Sequence, residues 1–434
     1  MKLALIVAAI FTSLTSMTFA QSKGSDPIIW AAGPLEVRLA FAEPADPALV
    51  RRLTGHEIRF GEGEQAGTLR ISAARLADDG RTLILDTDPH PWEATYHLTL
   101  PDTRPQGADA ALDRHLSYTL SGVEASWQSD QGDAPPAWSG WWPSFDTEAL
   151  KSLAATSVDH QRAVGLLAKP GRWTLRALVR LPGGKSSVNL ETNASFEASF
   201  NGALANAGRT SEGLHRATLT EESNGDPVDF SITLTTGSGG KPARLRATGD
   251  IEGARNQSLD RSRLIPLWAQ PPLPTPPDLA EPPFPLIGGD PARGETAFFS
   301  NEARCSACHK IGGRGNDVGP ALDALNGRDR ARIYRDVADP SAEIHPAYLP
   351  YTVMLKDGGV SVGIVRADGR DAIRVIDTDA KTTTIKKAEI DDLRPSGTSI
   401  MPVGLAGALG EQTMRDLIAY LTAPKAAETP KARK

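Results

Sequence analysis

The sequence predicts a multidomain protein in which two all-β sandwiches precede a mainly α domain that carries a small antiparallel β insertion. Three observations predict this fold class. The 434 residues correspond to about three domains at roughly 150 residues each. Apolar and polar residues alternate in short runs from about Asp26 to Leu120 and again from Trp173 to Leu234, which is typical of half-buried antiparallel strands. Near the C-terminal end, apolar residues recur at helical spacing, which indicates an amphipathic helix.

Composition excludes several classes of protein. With 40% hydrophobic and 23% charged residues, the chain has enough apolar material for packed cores, and global disorder is excluded. A formal net charge of −6 leaves no electrostatic footprint for nucleic acid. The chain has 2 cysteines, which cannot form a disulfide framework, and both lie in the segment Cys305-Ser-Ala-Cys308-His309.

Residues 1–20 have the pattern of a secretory signal peptide. Lys2 precedes an apolar run that starts at Leu3, and the segment ends at Ala20 before a polar stretch. A retained membrane anchor would need about 20 apolar residues, whereas Thr12 interrupts this run early. We therefore expect cleavage near Ala20 and a periplasmic or otherwise exported protein, with no transmembrane segment in the mature chain.

Residues 21–122 form the first predicted sandwich. Val37 and Leu39, and later Leu83 and Leu85, alternate with polar residues, and turns such as the one after Asp79 punctuate the runs. This pattern favours short antiparallel strands packed in two layers. The segments at 44–47, 76–83 and 96–100 resemble those of bacterial immunoglobulin-like domains, which implies a fold of that type.

Residues 123–168 form a connector rich in tryptophan. Two interpretations are open for its aromatic rings: they form a platform on which sugar rings stack, or they bury a large apolar area at a domain interface. Burial is the usual role of such residues and is our expectation. The four tryptophans of the connector are Trp127, Trp138, Trp141 and Trp142.

Residues 169–260 form the second predicted sandwich. Apolar residues alternate from Trp173 to Leu181, and a Pro-Gly-Gly turn follows. The pattern resembles jelly-roll-like sandwiches that accompany secreted enzymes and contact carbohydrate, which makes glycan a candidate partner. Residues 261–287 contain nine prolines and predict a semi-rigid spacer, so that the final domain is expected to be displaced from the sandwiches or to move relative to them. Residues 425–434 are expected to be a disordered tail.

Cys305, Cys308 and His309 match the attachment signal of haem c. In that chemistry the two thiols add to the vinyl groups of one porphyrin, and the histidine coordinates the iron. A thioredoxin-like redox pair would not need the histidine. A structural zinc site needs four ligands, and the chain has no second cysteine pair. The sequence therefore predicts one covalently attached haem c.

The second axial ligand follows by elimination. Beyond the signal peptide, the methionines are Met354, Met401 and Met414. Met354 lies in a predicted strand and Met414 in the apolar stripe of the last helix, so both have ready roles in a core. Met401 lies on a loop before that helix and is the expected ligand. The alternatives are ligation by His345 or an open sixth position.

Residues around the motif resemble class I cytochromes c. Gly294 precedes Phe298 by one helical turn, and Tyr420 lies on the last helix, as in the crossing terminal helices of that family. In the same family a proline carbonyl orients the proximal histidine. The resemblance implies that Pro320 plays this part for His309.

A more specific resemblance extends over residues 290–421, to a family of exported bacterial c-type cytochromes known by its haem-binding domain. It implies a haem domain at 288–424, with the β insertion at about 351–393. Beyond the haem motif itself, the matching segments are Gly-Asn-Asp-Val-Gly-Pro at 315–320, Ala-Asp-Pro-Ser-Ala-Glu-Ile at 338–344, Leu-Lys-Asp-Gly at 355–358 and Arg-Pro-Ser-Gly-Thr-Ser-Ile-Met-Pro-Val-Gly-Leu at 394–405.

The expected function is that of a periplasmic monohaem c-type cytochrome. Ligation by histidine and methionine blocks the iron from substrates and suits electron transfer rather than enzymatic catalysis. The family resemblance implies periplasmic redox partners such as a quinoprotein-like sugar or alcohol dehydrogenase. Two alternatives stay open: a haem enzyme such as a peroxidase, and a carbohydrate- or protein-binding scaffold with an accessory haem domain.

Overall fold

The chain is described by a computed structural model. Of the described residues, 42% lie in strands and 21% in helices, and no helix among them is long and apolar enough to cross a membrane. The predicted signal peptide, residues 270–280 of the proline-rich spacer and the predicted tail lie outside the described residues. The described residues are 26–63, 66–102, 113–130, 136–205, 208–237, 241–251, 253–269 and 281–424.

The first unit is a single curled sheet. Its seven strands follow the order β1-β2-β5-β4-β3-β6-β7, and β1 packs close to β7. Strand β4 pairs first with β3 and then with β5 across a bulge between Ile71 and Ala73. The elements are β1 (Ile28–Gly33), β2 (Glu36–Ala40), α1 (Ala48–Leu53), β3 (Glu57–Phe60), β4 (Gly67–Leu76), β5 (Thr82–Thr87), β6 (Thr95–Leu100) and β7 (Arg114–Thr119).

The predicted immunoglobulin-like sandwich is therefore replaced by a nearly closed, barrel-like sheet. The bulge bends β4 so that both halves of the sheet enclose one core, which contains Leu39, Phe60 and Tyr96. Alternating apolar residues specify which face of a strand is buried. They do not specify whether the buried face meets a second sheet or the far side of its own sheet.

The second unit is a two-layer sandwich. One sheet has the order β13-β12-β16-β10-β8-β9, with β19 also paired to β10, and the other has the order β14-β15-β11-β17-β18. Its elements are β8 (Val123–Ser129), β9 (Trp138–Trp142), α2 (Thr147–Ala154), α3 (Val158–Leu166), β10 (Gly171–Arg180), β11 (Gly184–Thr192), β12 (Ser195–Phe200), β13 (Ala203–Leu204), β14 (Gly208–Arg209), β15 (His215–Ser223), β16 (Pro227–Thr236), β17 (Leu245–Ile251), β18 (Ala254–Ser258) and β19 (Leu264–Ile265).

The tryptophan-rich segment lies inside this architecture. It contributes β8, β9, α2 and α3 to the sandwich, and all four of its tryptophans are buried. Trp138 and Trp142 pack on Trp173 in the sandwich core. Trp141 instead stacks on Trp30 of the barrel-like sheet, with ring centroids 5.7 Å apart. Since the rings are buried, none of them offers a face on which a sugar could stack.

The C-terminal unit combines short helices with a five-stranded antiparallel sheet of order β25-β24-β23-β22-β26. The last helix is broken at Gly410, where φ is +74°. The elements are α4 (Pro291–Phe298), α5 (Cys305–Cys308), β20 (Lys310–Ile311), β21 (Arg314–Gly315), α6 (Arg330–Ala338), β22 (Pro350–Leu355), β23 (Val360–Asp368), β24 (Ala372–Ile376), β25 (Thr382–Lys386), β26 (Ile390–Pro395) and α7 (Leu405–Thr422).

The predicted mainly α cytochrome c domain with a small β insertion is wrong, because the strands here form a separate layer that shares a hydrophobic core with the first unit. Tyr351 and Val365 of this sheet are buried together with Leu35 and Trp92 of the first unit. The sequence pattern identified the strands. It could not show that their apolar face packs on a surface about 300 positions earlier in the chain.

The same contact overturns the expectation that the spacer displaces the final domain. The backbone N–H of Ala367 donates to Oδ1 of Asp88 at 2.7 Å, and Lys387 Nζ lies 2.9 Å from Oδ1 of Asp86. The hydroxyl of Tyr351 donates to the carbonyl of Pro89. The composition of a linker limits how far it can reach, whereas the surfaces at its two ends decide whether they meet.

Candidate haem-attachment site

Helices α4 and α7 form the frame of the site. A Cβ on Gly294 would lie 1.9 Å from the carbonyl oxygen of Asp416, so only glycine permits this approach of the two backbones. Phe298, fully buried, packs on Tyr420 with ring centroids 5.8 Å apart. The close contact holds the start of the C-terminal unit against its last helix.

A buried carboxylate, that of Asp416, stabilises the contact between helices α4 and α7. Asp416 accepts hydrogen bonds from Nε and Nη2 of Arg293 at 2.7 and 2.9 Å, and from the backbone N–H of Asp290 at 2.7 Å. These bonds, the one from Arg293 foremost, lower the pKa of Asp416 to about 2. The carboxylate therefore stays ionised at neutral pH and ties α4 to α7.

The two cysteines lie at the ends of a single helical turn, α5. The turn begins after Arg304, which adopts a left-handed conformation with φ of +52°. Cys305 packs against the helical core of this unit. Burial raises the pKa of the Cys305 thiol to about 11 and also raises the pKa of Cys308. Both are free, half-buried thiols.

His309 follows directly and is held by two hydrogen bonds. Its backbone N–H donates to the carbonyl of Cys305 at 2.8 Å, and its Nδ1 lies 2.9 Å from the carbonyl oxygen of Pro320. A carbonyl can only accept, so Nδ1 carries the proton and Nε2 keeps its lone pair. Burial also lowers the pKa of His309. A neutral imidazole with a free Nε2 is the form that ligates a metal.

The loop that supplies Pro320 encloses the histidine ring. A Cβ on Gly319 would lie 2.7 Å from Cε1 of His309, and a Cβ on Gly315 would lie 2.2 Å from the histidine carbonyl oxygen. The backbone N–H groups of Val318 and Gly319 donate to the carbonyl of Cys308 at 3.0 and 2.8 Å. Sequence reasoning identified the spacing of Pro320 but not the need for two glycines, whose only signal is their position in the loop.

Met401 is half-buried and contacts the helical core that Cys305 also contacts, although the two residues are far apart in sequence. Met414 is fully buried in that core, as expected. Met354, expected in a core, is instead 43% exposed on the outer face of the sheet. Nδ1 of His345 accepts a hydrogen bond from the backbone N–H of Ala347. This nitrogen is therefore already occupied by a hydrogen bond within the chain.

The donor groups fit a covalently attached haem. Two thiols flank one helical turn, an imidazole with a free Nε2 follows them, and a thioether lies on the same core. These are the groups that haem c requires for attachment and for His/Met ligation. Among the described residues, no three His, Cys, Asp or Glu side chains are grouped so as to hold a metal ion themselves.

Comparison with known proteins assigns no family. No protein-family model matches the chain, and no curated protein matches it by sequence. An anti-sigma factor domain-containing protein covers 57% of this chain and 94% of its own at 10% identity, with a TM-score of 0.26. An anti-sigma factor domain-containing protein from Clostridium clariflavum covers 57% of this chain and 93% of its own at 10% identity, with a TM-score of 0.26.

A third solved structure, a GH31 alpha-xylosidase from Xanthomonas citri, covers 56% of this chain and 38% of its own at 10% identity, with a TM-score of 0.21. These TM-scores are too low to indicate a shared fold. The resemblance to exported bacterial c-type cytochromes is corrected by these findings. No family model matches, and the described residues are mostly in strands.

Proposed function

We propose that this chain is a periplasmic monohaem protein of the c type that transfers single electrons. The observation that carries the proposal is the hydrogen bond between His309 and Pro320 beside the two free thiols. Burial favours the neutral imidazole, and the hydrogen bond fixes its orientation and leaves Nε2 available, which is what an axial ligand next to two thioether positions needs.

Each residue of the site would have its own role in holding the haem. Cys305 and Cys308 would anchor the haem covalently, and His309 and Met401 would be its axial ligands. When bound, the haem supplies a one-electron couple, and His/Met ligation raises its potential relative to more electron-donating ligand pairs. Pro320 would hold the imidazole plane in place while the charge on the iron changes.

Attachment is tested by producing the full chain together with a haem c assembly system and denaturing it in acid. Haem that stays with the polypeptide through denaturation supports thioether bonds. The matched pair Cys305→Ser and Cys308→Ser should each lose one bond, and the double variant should lose all covalent haem. Release of all haem from the unaltered protein would contradict the proposal.

The second ligand is tested by substituting methionines in pairs. Met401→Ala should abolish the methionine-to-iron charge-transfer band, whereas Met354→Ala, which removes an exposed methionine of the same unit, should leave the band intact. A band that persists in Met401→Ala would remove Met401 as the ligand. Carbon monoxide binding by the reduced unaltered protein would favour a haem enzyme with an open site instead.

The expected electron donor is a periplasmic dehydrogenase that oxidises a sugar or an alcohol. A one-electron carrier needs an electron donor, and the signal-like segment at residues 1–20 would place the chain in the compartment of such a dehydrogenase. Periplasmic extract from the source cells, supplied with an aldose or an alcohol, should reduce the purified protein. If neither substrate produces reduction, this class of donor is wrong.

A further inference from the structure

The outer face of the second unit holds a polar cleft of about 560 Å³. Strands β11, β15, β17 and β18 form its floor, at the far side of the sandwich core. Its size lies within the roughly 300–1,000 Å³ of small-ligand sites. Most such sites have apolar walls, whereas here the side chains that face the solvent are polar or charged, which points to a ligand of the same character.

Cross-strand register arranges these side chains in rows. Glu191 of β11 is directly opposite Arg216 of β15 and Arg246 of β17. Two residues away, Asn189 is opposite Thr218 and Thr248. A guanidinium row therefore lies beside an amide-and-hydroxyl row, about 7 Å apart at the usual rise of a strand.

The amide-and-hydroxyl row is ordered by its own hydrogen bonds. The Thr218 hydroxyl donates to Oδ1 of Asn189 at 2.8 Å, and the Asn189 side chain also hydrogen-bonds Asp250 in the next row. Asp250 in turn accepts the backbone N–H of Asn256 at 2.8 Å. These bonds hold the polar groups in place before any ligand arrives, which reduces the entropy lost on binding.

The charges leave one cation available. Arg216 is paired with Glu191, and Arg255 lies near enough to Asp250 to lower its pKa. Arg246 is exposed and, within the described part of the chain, its side chain makes no hydrogen bond or ion pair. Among the described residues that line the cleft, three guanidinium groups stand against two carboxylates, and the resulting excess of positive charge is centred on a side chain whose planar fork matches a carboxylate.

We propose that this cleft binds an acidic oligosaccharide, with a uronate carboxylate on Arg246 and sugar hydroxyl groups on the row that contains Asn189, Thr218 and Thr248. Hydroxyl and amide side chains both donate and accept, as a polyhydroxylated ligand requires. The cleft lining contains no aromatic side chain, so recognition depends on polar groups and should disfavour neutral sugars. This inference is independent of the haem, because all of its residues belong to the sandwich.

The test is calorimetric titration of the full chain with tetragalacturonate, a neutral maltotetraose and a hexaglutamate peptide. Tetragalacturonate should bind, and Arg246→Gln should weaken its binding at least about 10-fold, since a charged hydrogen bond is lost. Arg172→Gln is the matched control, because Arg172 is an exposed arginine on the opposite sheet. It should leave the affinity unchanged.

Circular dichroism and thermal unfolding of each variant establish that the fold is retained. Arg246→Lys keeps the charge without the fork and should recover part of the affinity. The proposal is overturned if tetragalacturonate does not bind at millimolar concentration, or if Arg246→Gln binds it as well as the unaltered chain does. Tighter binding of hexaglutamate would identify an acidic peptide site instead.

Discussion

Substituting Gly319 by alanine tests how the proposed iron ligand, His309, is positioned, and it leaves the ligand residue itself unchanged. The added Cβ would lie 2.7 Å from Cε1 and 3.0 Å from Nδ1 of His309. Ordinary contact begins at 3.4 Å, so the ring or the loop must shift by about 0.7 Å or more. Because Gly319 and Pro320 are consecutive, a shift of the ring or of the loop also disturbs the hydrogen bond between His309 and the Pro320 carbonyl.

The magnitude follows from the hydrogen bond that this movement stretches. A shift of about 0.7 Å along the bond would lengthen the 2.9 Å separation to about 3.6 Å, beyond hydrogen-bonding range. Leaving a half-buried N–H without its partner costs about 1–3 kcal/mol of the free energy of unfolding. An imidazole without this partner is also less basic, so it stabilises ferric iron less, and the reduction potential should rise.

The assay combines spectroelectrochemistry with guanidinium unfolding of the haem-loaded protein. Two controls are available in the same unit. Pro320→Ala keeps the backbone carbonyl and should leave the potential nearly unchanged. Gly397→Ala adds a methyl group where nothing lies within 4 Å and should be neutral. If Gly319→Ala matched the unaltered protein in both potential and stability, the loop would not position the histidine and the reasoning would be refuted.

Three further predictions concern stability. Asp416→Asn should lower the free energy of unfolding by about 1–3 kcal/mol by weakening the bond to Arg293. Since the pKa of Asp416 is lowered to about 2, its contribution is complete above about pH 4 and is lost as pH falls towards 2. Acid titration of unfolding should therefore be flatter over that window in the variant, and an unchanged curve would contradict the assignment. Burial lowers the pKa of His90 to about 4, so the unfolded chain alone takes up a proton below about pH 6.5. Stability should then fall between pH 6.5 and 4 by up to about 3 kcal/mol, and His90→Gln, which can still meet the Tyr118 hydroxyl, should reduce that slope in urea titrations at several pH values. Gly165→Ala should raise the free energy of unfolding by about 0.5–1 kcal/mol, because Gly165 lies in helix α3 with open space around its Cβ position; thermal unfolding that shows a loss would count against this.

Much of the local structure was predictable from the sequence. Strands such as β10 and β16 follow the alternation of Trp173, Leu175 and their neighbours, because a half-buried strand needs that period. Such runs locate the strands of the second unit, although they do not specify that its two sheets pack face to face. The core position of Met414 was predictable from its place in a helical apolar stripe. These features depend on residues close together in the chain, and so their signals are local.

Other features depend on contacts between distant segments and could not be predicted. The curl of the first sheet depends on the bulge in β4 and on the approach of β1 to β7. The docking of the five-stranded sheet on Leu35 and Trp92 depends on shape at a surface far away in sequence. Met354 illustrates the limit, since a strand pattern alone could not show which face of its sheet is covered and which is left to solvent.

In the candidate site as well, some properties follow from the sequence and others from the tertiary structure. The sequence by itself determined the chemistry, because two thiols and a histidine in Cys305-Ser-Ala-Cys308-His309 are covalent groups at a fixed spacing. Only the tertiary structure decided the state of those groups. The Pro320 carbonyl selects the tautomer of His309, Gly319 permits the ring to lie against the loop, and the helical core brings Met401 to the same cluster as Cys305. Reactive atoms are specified by residue type, whereas protonation, orientation and proximity are properties of the packed chain.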